Sequence, residues 1–230
     1  MENNDIISCC SQKDVEIKDV VHHSECFRDE HHPAYRMVKE DFAGLIPLVE
    51  EIDRLLRSEK PRLIVALDGR CASGKTTAAE LLSKIYDCNV FHMDDFFLRP
   101  EQRTEERLSR PGENVDHERF LDEILIPLAD NREVVFQKYN CFKKMPDAPQ
   151  KVASKRLNIV EGVYSLHPEL IGYYDFTVFF DIDSDKQAER IRKRNTPEMA
   201  EKFFNIWIPL EEKYFSAMKV RSKAKYYMDN

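Results

Sequence analysis

The sequence predicts an α/β fold, a mostly parallel sheet with helices on both faces. Three observations predict it. Short apolar runs of strand length alternate along the chain with amphipathic runs of helical spacing. The first strong strand, Leu63 to Leu67, breaks at Asp68-Gly69 and leads directly into a glycine-containing turn and a helix. The polar residues suited to chemistry recur just past strand ends, where open parallel sheets bind their ligands.

In chain order, residues 1–32 are polar and weakly patterned, and read as a loosely ordered extension. They hold His22-His23 and His31-His32 with Cys26 between, at spacings that match no standard metal-ligand pattern, so solvated surface is expected. Residues 33–230 form the main domain. It opens with a helix at about 41–57, whose apolar face is Phe42, Leu45, Ile46, Val49, Ile52, Leu55 and Leu56. Asp41 can cap this helix, Pro47 can bend it, and its apolar face is expected to pack on the domain. After the first strand and its helix (Ala78, Leu81, Leu82 and Ile85 at i, i+3, i+4, i+7), a strand at 89–93 ends in Asp94-Asp95. Residues 99–114, rich in Arg and Glu with Pro100, Pro111 and Gly112, read as a long connection over the site. Asp116 opens a helix, with His117 expected on its surface. Strands follow at 134–139, 156–160 and 176–182, with a polar loop or hairpin tip at 143–155. A charged helix spans 185–194. The aromatic-rich segment 203–218 is helical and is broken or restarted by Pro209; a last strand lies at 224–228.

Composition narrows the function. The formal net charge of −7 offers no positive field for a polyanion, which argues against a general nucleic-acid binder. No apolar run reaches the length of a membrane span, and the first ten residues lack the apolar core of a secretory signal. Six cysteines without a C-x-x-C pair fit reduced thiols in a cytoplasmic protein.

The chemistry centres on Gly69, Arg70, Cys71, Ala72, Ser73, Gly74, Lys75 and Thr76, a full G-x-x-x-x-G-K-[ST] match followed by Thr77. Its position between strand and helix is the context that motif requires. Gly69 and Gly74 let the backbone approach a ligand, and the loop amides with the helix N-terminus face one anion, the polyphosphate of a nucleotide. Lys75 is placed to reach the β- and γ-phosphates, and Thr76 to ligate Mg²⁺. Cys71 lies within the loop, where a reactive thiol could be blocked by oxidation or alkylation. Asp94 and Asp95 are costly to place at a strand end without a cation nearby; Asp94 is expected as the base that accepts a hydroxyl proton, with Asp95 supporting it at the substrate. Glu161, past another strand, is expected to help hold Mg²⁺. In ERIRKRN, only Arg190 and Arg194 can share one helix face, and guanidinium groups there can offset charge on a transferring phosphoryl group. Asp116 reads by itself as a helix cap, and Tyr139 as a strand aromatic or a stacking surface.

Taken in order, VALDGRCASGKTT, FHMDDFFL, NVDHERF, KYN, IVEGVYSLHPEL, ERIRKRN and WIPLEEKYF resemble the uridine kinase family of P-loop kinases, particularly its bacterial uridine kinase-like branch. The resemblance runs from His32 to the carboxyl end. It implies a P-loop kinase three-layer sandwich and ATP- and Mg²⁺-dependent phosphorylation of a small hydroxyl compound, typically uridine or cytidine. It also implies Asp94 as base, Asp116 holding ribose hydroxyls, Tyr139 stacking near the acceptor and Glu161 on Mg²⁺. Expected partners are ATP and a small acceptor, with no nucleic acid and no membrane, and with room for a homo-oligomer. Two features depart from the family. The stretch Phe142-Lys143-Lys144-Met145 lacks the family's pyrimidine-reading histidine, and the basic lid segment is spaced differently. Pantothenate, nicotinamide riboside or a sugar phosphate is therefore an alternative acceptor, and a non-catalytic nucleotide-binding module is the alternative outside enzymes.

Overall fold

The structure is a computed structural model that describes Cys26 and residues 40–229. The histidine pairs of the extension lie outside the described residues. The chain divides into two compact units, one up to Ile52 and one from Asp53 onward.

The helix expected at 41–57 is in two pieces. A helical turn, Glu40–Ala43, ends at Gly44, and α1 (Ile46–Leu56) begins beyond it. Pro47 falls in the first turn of α1, where a missing N–H breaks no intrahelical bond, so it starts the helix rather than bending it. The buried face is Leu45, Leu48, Val49 and Ile52; Ile46 is exposed.

The second unit is built on a five-stranded parallel sheet. Its strands are β1 (Leu63–Gly69), β2 (Cys88–His92), β7 (Leu157–Glu161), β8 (Phe176–Asp181) and β9 (Tyr226–Asp229), in the order β2-β7-β1-β8-β9. Register places Leu67 beside Glu161 and His92 beside Glu161, so the carboxyl ends of β1, β2 and β7 finish together. Every residue of β1 and β7 is buried, as expected for central strands covered on both faces. Helix α2 (Lys75–Ile85) follows the P-loop, and α3 (Ser184–Arg194) follows β8, capped by Asp183. One core cluster joins Ile64, Ala66, Phe91, Phe96, Phe120, Phe136 and Val160. Phe96 and Phe120 meet edge to face at 4.9 Å and are fully buried, each contributing roughly 2–3 kcal/mol.

The strand expected at 134–139 is not part of this sheet. It splits into β3 (Val134–Phe136) and β4 (Tyr139–Asn140), which pair antiparallel with β6 (Gln150–Val152) and β5 (Met145–Pro146) respectively. The segment read as a polar loop or hairpin tip thus supplies half of two short ribbons. Gln137-Lys138 interrupts the run because Gln137 turns its backbone N–H to Glu123.

Both proline-interrupted helices continue. Before Pro127 the helix His117–Phe120 passes through a π-turn, Leu121–Leu125, into Ile126–Ala129. Before Pro209 the π-turn Phe203–Trp207 leads into α4 (Ile208–Met218). In each case Ile-Pro-Leu starts the new segment, and widening the preceding turn accommodates the bond that proline cannot make.

Candidate functional site

The site begins with the tight exit from β1. Gly69 has φ +131°, and a Cβ there would lie 2.0 Å from the carbonyl oxygen of Phe180, so only glycine fits. Gly74 (φ 100°) turns the chain into α2. Lys75 is buried, and its Nζ donates to the carbonyls of Gly69 and Arg70, each at 2.8 Å. The lysine thus folds back over its own loop, with its charge held where a polyphosphate would lie. Arg70 turns outward to pair with Asp181 at 2.8 Å and with Glu212.

Thr76 Oγ1 donates to the Glu161 carboxylate at 3.2 Å and 3.3 Å. His92 Nδ1 contacts Glu161 Oε1 at 2.5 Å, and this bond above all holds the imidazole pKa above its ordinary value. A hydroxyl and a buried carboxylate side by side form an all-oxygen pair suited to a hard divalent cation. The donor set therefore fits a divalent cation that prefers oxygen ligands.

Asp94 lies in the turn Met93–Phe96 that ends β2. The turn packs tightly against β7: at Gly162 (φ +137°) a Cβ would come within 2.7 Å of Met93 Cβ. Asp94 is exposed on this turn, yet protein atoms crowd around its carboxyl group. That crowding raises its pKa first, and the Glu161 charge adds to the rise, while Lys75 and His92 oppose it. The structure therefore gathers Lys75, Thr76, Asp94 and Glu161 at the carboxyl ends of β1, β2 and β7.

The other expected residues lie around this centre. Asp95 pairs with Lys138 at 2.8 Å. Asp116 is buried and caps its helix: it accepts from Arg119 N at 3.2 Å and from Gln102 Nε2 at 2.9 Å. Tyr139, buried at the start of β4, carries the Arg103 guanidinium 5.9 Å from its ring centre. Arg190 Nη1 donates to the Ala72 carbonyl at 3.1 Å, which brings it to the P-loop. Arg194 lies over the Phe203 ring at 5.2 Å.

Two expectations are corrected. His117 is buried, not on the surface, and stacks on His167 at 4.0 Å between ring centres. Cys71 is not a reactive thiol: burial, reinforced by the neighbouring Glu211, pushes its pKa up to about 12.

Three groups at the site were not read from the sequence. Asp68, fully buried, accepts from Gly69 N (2.6 Å), Leu166 N (2.8 Å) and Tyr214 Oη (2.9 Å), tying the P-loop entry to α4; burial raises its pKa to about 6. Glu211 of α4 accepts from the P-loop amide of Cys71 at 3.0 Å, and burial raises its pKa to about 7. His92 positions Glu161. Only the Asp68-Gly69 break carried any signal for these. The Glu211 contact spans 140 residues, so no local pattern announces it.

No known family's sequence profile matches the chain. Its fold is similar to that of a protein described as a possible uridine kinase from Bacillus stearothermophilus, with TM-score 0.58, 22% identity and coverage of 80% of this chain and 100% of that one. It is equally similar, at TM-score 0.58 and 20% identity, to a "putative fructose transport system kinase" from Silicibacter sp. TM1040, over 80% of this chain and 98% of the other. Among the described residues no helix is long and apolar enough to cross a membrane. At these identities the likeness is one of fold, and that fold is the P-loop three-layer α/β sandwich that the ordered sequence segments resemble.

Proposed function

We propose that this chain is a small-molecule kinase that transfers the γ-phosphoryl group of ATP to a hydroxyl of a nucleoside-like acceptor. The observation that carries this is the juxtaposition of the Lys75 cradle, the Thr76–Glu161 pair and Asp94 at the ends of β1, β2 and β7. The loop amides and Lys75 bind the polyphosphate; the lysine exchanges its two carbonyl partners for phosphate oxygens. Thr76 and Glu161 would hold Mg²⁺, which would supply positive charge against the phosphates. Asp94 accepts the proton of the acceptor hydroxyl as the oxygen attacks. Arg190, already at the loop, and Arg194 on the same helix face stabilise charge on the transferring group. Asp95, Asp116 and Tyr139 position the acceptor.

Asp94→Asn should lower turnover by roughly two to four orders of magnitude while leaving ATP affinity near normal. A variant with near-normal turnover removes Asp94 from the role of base.

A second reading concerns the acceptor. Lys138 is paired to Asp95, Arg103 lies over Tyr139 and Arg119 Nε stands 3.8 Å from Asp116 Oδ2, so a cationic group stands beside each of the three acceptor residues. This favours an acceptor that carries negative charge, such as a sugar phosphate or a carboxylate-bearing alcohol. ATP consumption measured against a panel of uridine, cytidine, nicotinamide riboside, pantothenate and sugar phosphates decides between them. No consumption with any of them would favour a non-catalytic binding module.

A further inference from the structure

Two buried acids stand against the loop that should hold an anion. Asp68 and Glu211 are 0% and 5% exposed, and both accept from P-loop amides, Asp68 from Gly69 N at 2.6 Å and Glu211 from Cys71 N at 3.0 Å. Glu211 also accepts from the Cys71 thiol. Lys75 is the cation whose charge acts on both carboxylates. Two ionised acids against one lysine leave this set with a net negative charge, although the loop amides and Lys75 are arranged to attract phosphate. The other groups facing Glu211 do not reverse that balance. Arg70 is engaged by Asp181 and by Glu212, the neighbour of Glu211 on α4. Arg194 of α3 acts on Cys71 but lies over the Phe203 ring. Tyr164, past β7, and Tyr214 of α4 stay neutral, because burial raises the pKa of both phenols.

We propose that Glu211 is a positioning residue of the P-loop that holds the Cys71 amide and takes up a proton from solvent when a polyphosphate binds. The inference rests on the kinase reading only in taking the loop to hold a polyphosphate. The exchange needs no movement of the loop, since a protonated carboxyl keeps a carbonyl oxygen that can accept from the Cys71 amide. Cys71 is also held from α3, where Gln187 Nε2 donates to its carbonyl at 2.9 Å and to its sulfur at 3.3 Å. The residue that Glu211 grips therefore keeps its place in either protonation state. Electrostatics give the direction. Bound phosphate engages Lys75, a cation that helps keep Glu211 ionised, and adds negative charge to the same loop. Both effects favour the neutral acid. Burial has already raised the Glu211 pKa to about 7, so a further rise carries a proton on near neutrality. Asp68 follows in the same direction from a lower start, raised to about 6, because Gly69 N, Leu166 N and Tyr214 Oη all donate to its carboxylate.

The test is carbon-13 NMR of the Glu211 side-chain carboxyl in the full chain, titrated with pH in the absence and presence of ATP and excess Mg²⁺, without acceptor. The Glu211 midpoint should rise by about one pH unit in the complex. By linkage, ATP affinity should then fall about tenfold as pH rises through the two midpoints. Glu211→Gln stands in for the neutral acid. It should flatten that dependence and bind ATP more tightly than the parent at high pH, with the ionisation of ATP itself common to both chains. A carboxylate that served the fold alone would leave the Gln chain weaker at every pH, and that result overturns the inference. So does a Glu211 midpoint that stays or falls while the Gly74 and Lys75 amide resonances shift with ATP; the kinase reading survives that outcome. Amide resonances of the loop that do not shift at all overturn the kinase reading as well. The carboxyl readout needs no variant, so a Gln chain that failed to fold would not leave the outcome open.

Discussion

At the residue scale, the carboxylates near the P-loop differ in what holds them, and pH should separate their effects. As the proposed base, Asp94 must be ionised to accept a proton, and burial together with the nearby Glu161 charge raises its pKa above 3.8. The acid limb of kcat/KM should therefore lie above the ordinary aspartate range of about 3.9. A pH–rate profile with its limb at that ordinary value would contradict the geometry. Glu211 acts on stability. Its folded pKa rises from 4.5 to about 7, so the folded state binds a proton that the unfolded state has released between those values. The favourable contribution is then largest at low pH and is lost as pH rises toward 7. Glu211→Gln can still accept from the Cys71 amide, and should reduce this loss by an amount on the order of 1–3 kcal/mol, measured by denaturant unfolding at about pH 5 and about pH 7.5. Asp68, raised to about 6, acts in the same direction, so the slope should shrink without vanishing.

At the scale of elements, the exit from β1 tolerates least. Gly69→Ala would drive a methyl group against the Phe180 carbonyl of the neighbouring strand in a backbone conformation that L-residues avoid. A destabilisation above roughly 3 kcal/mol is expected, read as a lower denaturant midpoint with unchanged slope. The strands and helices that form the sheet were legible because each has a local signature: apolar runs at β1, β7 and β8, and the i, i+3, i+4, i+7 spacing of α2. Of the ribbons of β3 to β6, the run at 134–139 was legible as strand, but its break into β3 and β4 and the pairing with β5 and β6 were not. These strands are two or three residues long, half-exposed, and stabilised by pairing rather than by a buried face. The two π-turns escaped for a different reason. Proline announces a missing hydrogen bond, but packing decides whether the helix ends there or widens.

At the scale of the whole molecule, a polyphosphate bound only by the folded loop should stabilise the chain by mass action. Saturation with Mg²⁺ and ATP at about a hundred times Kd should add roughly 2.7 kcal/mol, seen as a raised Tm, and Lys75→Ala should abolish most of that gain. An equal shift in parent and variant would place the nucleotide elsewhere. The phosphate-binding half of the site was readable because Gly69 to Thr76 are consecutive, and one turn of backbone carries both amides and lysine. Sequence by itself determined the parallel α/β architecture, the phosphate loop and the acidic groups past β2 and β7, because strand and helix periods and turn chemistry are local properties. Tertiary structure alone decided that Glu211 caps the loop at Cys71, that Asp68 ties it to Tyr214, and that His117 is buried against His167. Each of those contacts joins residues 50 or more positions apart, and their energies come from burial and pairing that exist only once the chain has closed on itself.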